Sequence, residues 1–186
     1  MHTRLGLHPQ CWNIARGVTI PKPGKDDYGL AKSYRVISLL NCPGKMVEKV
    51  AAMLVSAHCE NTGGFHPGQY GCRIRRSAVD AVGVVSAQTQ AAWKRGCITG
   101  ALLMDVAAAF CSVARGCLLR KMRAMGIDEN LVDWTDSFMR DRKVVMSVDG
   151  EDDDPREVST GLPHGLLILP ALFAIYIADI HATVES

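Results

Sequence analysis

The chain has 186 residues, 48% of them hydrophobic and 22% charged, the length and composition of one globular domain, or part of one, with a core of its own. Nothing reads as a secretory signal. The longest apolar run, Leu166 to Ile177, is broken by Pro170 and is too short for a ~30 Å hydrocarbon core, and seven cysteines without a Cys-x-x-Cys fit neither a disulfide framework nor a zinc ribbon. These exclusions point to reduced thiols in an intracellular compartment, nuclear or cytoplasmic, with no membrane partner. The net charge of +2 hides an asymmetry: residues 1–125 hold 17 Lys/Arg against 6 Asp/Glu, and residues 126–186 hold 4 against 13. A basic front can engage nucleic-acid phosphates by releasing condensed counterions, although the same cations also suit solvated helix faces.

Pro9, Pro21, Pro23 and several glycines divide residues 1–40 into short apolar pieces, Val18-Thr19-Ile20 and Val36-Ile37-Ser38-Leu39-Leu40, which predict strands joined by turns. From Pro43, the spacing of Val47, Val50, Ala51, Leu54, Val55 and His58 predicts an amphipathic helix that ends at Gly63-Gly64. Ser77 with Asp80 forms a capping-box pair and predicts a second helix to about Lys94. Ala101-Leu102-Leu103-Met104-Asp105-Val106 is expected as an apolar strand that ends in a carboxylate. Two helices follow, through Leu118, Leu119 and Met122 and through Leu131, Thr135 and Phe138, with Gly126-Ile127-Asp128 between them and Asp128 as a cap. Lys143 to Val148 alternates, Asp149-Gly150 signals a hairpin turn, and Arg156 to Ser159 is expected to return as the partner strand. The acidic run Glu151 to Asp154 decorates that loop, and a last helix follows Pro170.

Four blocks occur in order. The first is Trp12-Asn13-Ile14-Ala15, Ile20-Pro21-Lys22-Pro23-Gly24-Lys25 and Ser33-Tyr34-Arg35-Val36-Ile37-Ser38-Leu39-Leu40. The second is Gln69-Tyr70-Gly71-Cys72-Arg73 with Arg75-Arg76-Ser77-Ala78-Val79-Asp80-Ala81, and the third is Met104-Asp105-Val106-Ala107-Ala108-Ala109-Phe110-Cys111-Ser112-Val113. The fourth is Gly161-Leu162-Pro163-His164-Gly165-Leu166-Leu167-Ile168-Leu169-Pro170-Ala171-Leu172-Phe173. Together they resemble the reverse transcriptases of non-LTR retrotransposons and their group II intron relatives.

The resemblance implies an α+β fold, the fingers and a partial palm of a right-hand polymerase, with helices on a small, mainly antiparallel sheet. Residues 1–100 correspond to the fingers-like region. Residues 101–186 correspond to a partial palm that stops before the family's Tyr/Phe-x-Asp-Asp block. Lys25 and Arg35 match basic residues that face the incoming triphosphate, where a guanidinium can bind phosphate oxygens through two parallel hydrogen bonds; alone, each also suits a surface cation. Asp105 matches the first metal-binding aspartate and Val106 a carbonyl ligand, so the implied cofactor is Mg²⁺, which polarises phosphoryl oxygens and activates a primer hydroxyl. Ala109, His164 and Gly165 match nucleotide-binding positions. Phe110 matches the aromatic under the sugar that screens for a missing 2′-hydroxyl, and without the resemblance it reads as core.

This sequence departs from the family pattern. Cys72 and Ala78 stand for Phe and Thr, Cys111 for Asp, His164 for Gln, and Leu166 and Leu169 for two Ser. The leucines are expected to add bulk at a pocket wall, where misplacing a reactant by ~1 Å costs about a hundredfold in rate. His164 could also be read as a general acid or a metal ligand, but no Cys/His partner lies at ligand spacing. Two-metal chemistry clamps oxygens between ions about 3.5–4 Å apart, more than one aspartate and a carbonyl can hold. The expected function is that of a fragment of an RNA-directed DNA polymerase, inactive alone, with an RNA template, a DNA primer and a deoxynucleoside triphosphate as partners. The alternatives are a non-catalytic nucleic-acid-binding protein that uses the basic front, or the non-functional product of a decayed retroelement.

Overall fold

The first forty residues give the extended pieces their punctuation predicts. Strand β1 (Ile14–Pro21) and strand β2 (Tyr34–Leu39) pair antiparallel from Arg16↔Leu39 to Pro21↔Tyr34, and a 3₁₀ turn (Ala31–Ser33) leads into the second. The computed structural model describes residues 6–106, 109–148, 151–158, 161–162 and 165–180. Strand β3 (Lys143–Val148) runs parallel to β1 on its other edge, from Ile14↔Lys143 to Gly17↔Met146. The short strands β4 (Glu151–Asp152) and β5 (Arg156–Glu157) both pair antiparallel with β3 and complete a five-stranded sheet. The sheet is therefore mixed, with a parallel pair at its centre.

The return strand expected over Arg156 to Ser159 forms at Arg156–Glu157, and β4 is an added piece ahead of it. Pro155, which has no N–H to give a ladder, separates the two, while the Asp153 N–H still reaches Met146 O of β3 at 2.8 Å. The expected turn at Asp149-Gly150, and Ser159, lie outside the described residues.

Helix α1 (Cys42–Asn61) starts where Asn41 Oδ1 accepts the Gly44 N–H at 2.7 Å, with Pro43 in the first turn. Its buried face is Gly44, Glu48, Ala51, Val55 and Cys59, while Val50 and Leu54 are exposed. That corrects the expected apolar stripe by a rotation that brings one carboxylate inside. Helix α2 (Ala78–Lys94) carries the capping box of Ser77 and Asp80. Helix α3 (Arg115–Ala124) and helix α4 (Glu129–Met139, capped by Asp128) follow, then helix α5 (Leu169–Tyr176) with Pro170 in its first turn. Leu118 and Met122 of α3, Val132, Trp134 and Phe138 of α4, and Leu172 and Ile175 of α5 form the centre of the core. Each fully buried apolar side chain of this size contributes about 1.5–3 kcal/mol.

One expectation fails. Residues 101–106 join none of the sheet's ladders, and all six are exposed, Leu102 at 84% and Leu103 at 92%. An apolar run becomes a strand only where a neighbouring backbone pairs with it and its two faces are covered. None of the described strands pairs with 101–106. The exposed stretch is longer still, for no residue from 78 to 106 is buried.

Candidate functional site

The four blocks are joined by specific local bonds. Phe110 is half-buried, its ring centroid 4.9 Å from that of Phe173 on α5, and its carbonyl accepts the Leu162 N–H at 2.8 Å. The Ser112 hydroxyl donates to Ala109 O at 2.9 Å and closes the turn. Gly161, at φ +79°, sits so near this turn that a Cβ would lie 2.5 Å from Cys111 Cα. The third and fourth blocks are thus locked at a backbone-to-backbone approach that only glycine permits.

A second junction ties the fourth block to the first. A Cβ on Gly165, at φ +99°, would lie 2.8 Å from Ile37 Cγ2 and 3.0 Å from Ser38 O, so this glycine packs directly on β2. Gln69 of the second block is buried and donates through Nε2 to Ala174 O of α5 at 3.3 Å. Arg73 makes a two-pronged bond to Glu60 of α1, Nε to Oε1 at 2.9 Å and Nη2 to Oε2 at 2.6 Å, and Nη1 donates to His66 O. That pairing holds the Glu60 carboxyl below its ordinary range. Arg73 therefore fastens the second block to α1 instead of standing free for a ligand.

The expected site residues fall into three groups. Lys25 and Arg35 lie on the β1–β2 hairpin, both exposed, Arg35 opposite Ile20. Ala109, Phe110 and Gly165 lie at the two junctions. Asp105 and Val106 lie on the exposed stretch 101–106, and Asp105 forms no hydrogen bond or ion pair among the described residues. His164 lies outside the described residues. Leu166 and Leu169, expected to crowd a pocket wall, are instead buried in the core, so packing takes up their bulk.

Mg²⁺ keeps several waters and is held through one or two carboxylates plus substrate phosphates. Asp105 is accessible for that role, and the Val106 carbonyl could join it. Among the described residues, no group of three or more His, Cys, Asp or Glu gathers as a ligand set. The residues present would fit at most one hydrated ion. A cleft of about 720 Å³ opens between Val113, Arg115, Arg140, Asp141, Glu157 and Gly161. It borders the junction of the third and fourth blocks but includes none of Lys25, Arg35 or Asp105.

Sequence reasoning overlooked two buried charges. Glu48 on α1 accepts the Leu167 N–H on Oε2 at 3.0 Å; burial raises its pKa, while the Leu167 amide and Arg142 pull it back. Arg142, just before β3, donates Nη1 to Phe138 O at 3.1 Å and lies over the Phe138 ring at 4.5 Å. Its burial brings the guanidinium down to about 10, against the raising influence of Glu48. The signal for Glu48 was present in the 44, 48, 51, 55, 59 stripe, which reads as a helix face only if one accepts a carboxylate inside it.

Comparison with known proteins agrees with the blocks. Residues 20–186 match the family described as reverse transcriptase (RNA-dependent DNA polymerase). The chain is 28% identical over 176 residues to the RNA-directed DNA polymerase from mobile element jockey of Drosophila funebris, covering 95% of this chain and 19% of that protein. It is 26% identical over 177 residues to the probable RNA-directed DNA polymerase from transposon BS of Drosophila melanogaster, with the same coverage of each. A 27% identity over 176 residues relates it to the jockey polymerase of Drosophila melanogaster, covering 94% of this chain and 19% of that protein. The chain thus spans about a fifth of the length of these relatives.

Proposed function

The chain belongs to the reverse transcriptase family, and we propose that it forms the nucleotide- and template-binding side of an RNA-directed DNA polymerase site and does not extend a primer by itself. The observation that carries this reading is the joining of the blocks: Gly161-Leu162 on Phe110-Cys111, and Gly165 on Ser38 of the hairpin that bears Lys25 and Arg35. In this reading, Lys25 and Arg35 neutralise and orient the triphosphate of a deoxynucleotide, and the half-buried Phe110 lies under its sugar. Asp105, with the Val106 carbonyl, would hold a Mg²⁺ ion, which when bound polarises phosphoryl oxygens. The template is RNA and the primer DNA. At His164 an imidazole stands for the Gln amide beside the nucleotide, while Leu166 and Leu169, where the family has serine, are taken into the core. Two-ion phosphoryl transfer also needs several carboxylates together, and among the described residues no group of three or more His, Cys, Asp or Glu gathers.

The test is a primer-extension assay on an RNA template with Mg²⁺, run beside binding of the same duplex and of a deoxynucleoside triphosphate. Binding that weakens steeply with salt, nucleotide binding lowered about tenfold or more by Arg35→Ala, and no extension are expected. Extension that disappears in Asp105→Ala would overturn the inactivity, and extension that survives this substitution would overturn the metal role of Asp105. The charge asymmetry favours a second reading, a non-catalytic RNA-binding protein, which is distinguished by salt-dependent RNA binding without nucleotide binding.

A further inference from the structure

We infer that Glu48 is a positioning residue for the fourth block, an inference that rests on the nucleotide-binding reading above. Its side chain is fully buried, and Oε2 accepts the Leu167 N–H at 3.0 Å. That amide lies two residues ahead of Leu169, the first residue of α5, where the leading N–H groups have no partner within the helix. The cap position of α5 is Ile168, which has no polar side chain to offer. Asn41, Ser77 and Asp128 cap their helices locally, whereas α5 has no side-chain cap and Glu48 instead anchors, from across the core, the residue just ahead of its cap position. A negative charge there also suits the positive end of the helix dipole.

The segment held in this way includes Gly165, the residue packed on Ser38 of β2. Through Leu167, Glu48 therefore sets how the fourth block sits on the hairpin that carries Lys25 and Arg35. Arg142 is its buried counter-charge, and each group shifts the other's ionisation in the direction of an attractive pair. Glu48 Oε1 and Arg142 Nη2 have no hydrogen-bond partner among the described residues, so removing either charge alone strands the other.

A merely structural pair would affect folding stability only, whereas a positioning role also moves the amides of the loop and the affinity of the site. The full chain is compared with Glu48→Gln, Glu48→Leu and the double variant Glu48→Leu with Arg142→Leu. Amide hydrogen exchange at Leu167, thermal unfolding and affinity for a fluorescent deoxynucleoside triphosphate with Mg²⁺ are measured. Glu48→Gln keeps a carbonyl acceptor and should retain slow exchange and affinity. The double variant strands neither charge, so it should stay folded, yet exchange Leu167 about tenfold faster and bind nucleotide about tenfold more weakly. A folded double variant with unchanged exchange at this amide overturns the inference, as does faster exchange with undiminished nucleotide affinity. Wild-type chain that binds no nucleotide overturns the underlying functional reading instead; the exchange result then decides separately whether Glu48 holds the loop.

Discussion

His8 is enclosed by Trp12, Trp134 and Phe138, with ring centroids at 5.7, 5.7 and 5.0 Å, and neither ring nitrogen has a partner among the described residues. Burial, with Arg142 adding to it, lowers its pKa to about 4. The folded chain keeps the imidazole neutral, while the unfolded chain takes up a proton near the ordinary value of about 6.5. The unfolded state thus binds more protons between these values, so stability is complete above pH 6.5 and falls as the pH drops toward 4, by about 3 kcal/mol in all. Glu48 acts in the opposite sense: its carboxyl lies above the ordinary range, so its protonation in the folded state offsets part of the loss. His8→Phe keeps an aromatic ring in the enclosure and cannot be protonated. Urea unfolding of the two proteins across pH 4 to 6.5 should show a smaller loss in the variant, and identical slopes would show that His8 does not carry the effect. None of this was legible in sequence, because a histidine in an unpatterned first segment gives no sign that Trp134 and Phe138 will close over it.

At the scale of elements, local chemistry was readable and facing was not. The capping box of Ser77 and Asp80 and the Asp128 cap lie within a few residues of the helices they start, and they formed as their spacing predicts. The face of α1 depends on its neighbours in the fold: Glu48 turns inward because the Leu167 amide ahead of α5 and the Arg142 charge receive it, and Leu54 turns outward although it is apolar. The junction of the third and fourth blocks is likewise tertiary, and Gly161 is its most sensitive position. Alanine there would face both a left-handed backbone at φ +79° and the Cys111 backbone at 2.5 Å, which cannot yield as a flexible side chain would. Gly161→Ala is expected to cost about 2–3 kcal/mol and to speed exchange of the Leu162 amide. Gly83→Ala, in the open interior of α2, should instead stabilise by about 0.5–1 kcal/mol. Equal effects at the two sites in chemical denaturation would rule out a special approach at Gly161.

For the whole molecule, the α+β class follows from the alternation of extended and helical patterns, and the ordered blocks identify the family, because both are carried along the chain itself. The apolar run at 101–106 illustrates the limit, since a strand is a property of a pair and its composition is silent on whether a partner edge exists. The outcome is a set of exposed apolar side chains, Val79, Val82 and Val85 of α2 and Ile98, Leu102 and Leu103 after it. Apolar side chains left in water in this number favour association, and an unpaired segment adds open backbone groups to them. The chain should therefore bind a hydrophobic dye while folded and self-associate as its concentration rises. Because these side chains lie outside the core, replacing them should change association without changing the fold. The combined substitutions Val82→Lys, Leu102→Asp and Leu103→Lys should reduce dye binding and give a monomer in sedimentation, with each change shifting stability by no more than about 0.5 kcal/mol. A cooperative loss of thermal stability in that variant would instead mean that 78–106 packs against the core, and association that persists would place the sticky surface elsewhere.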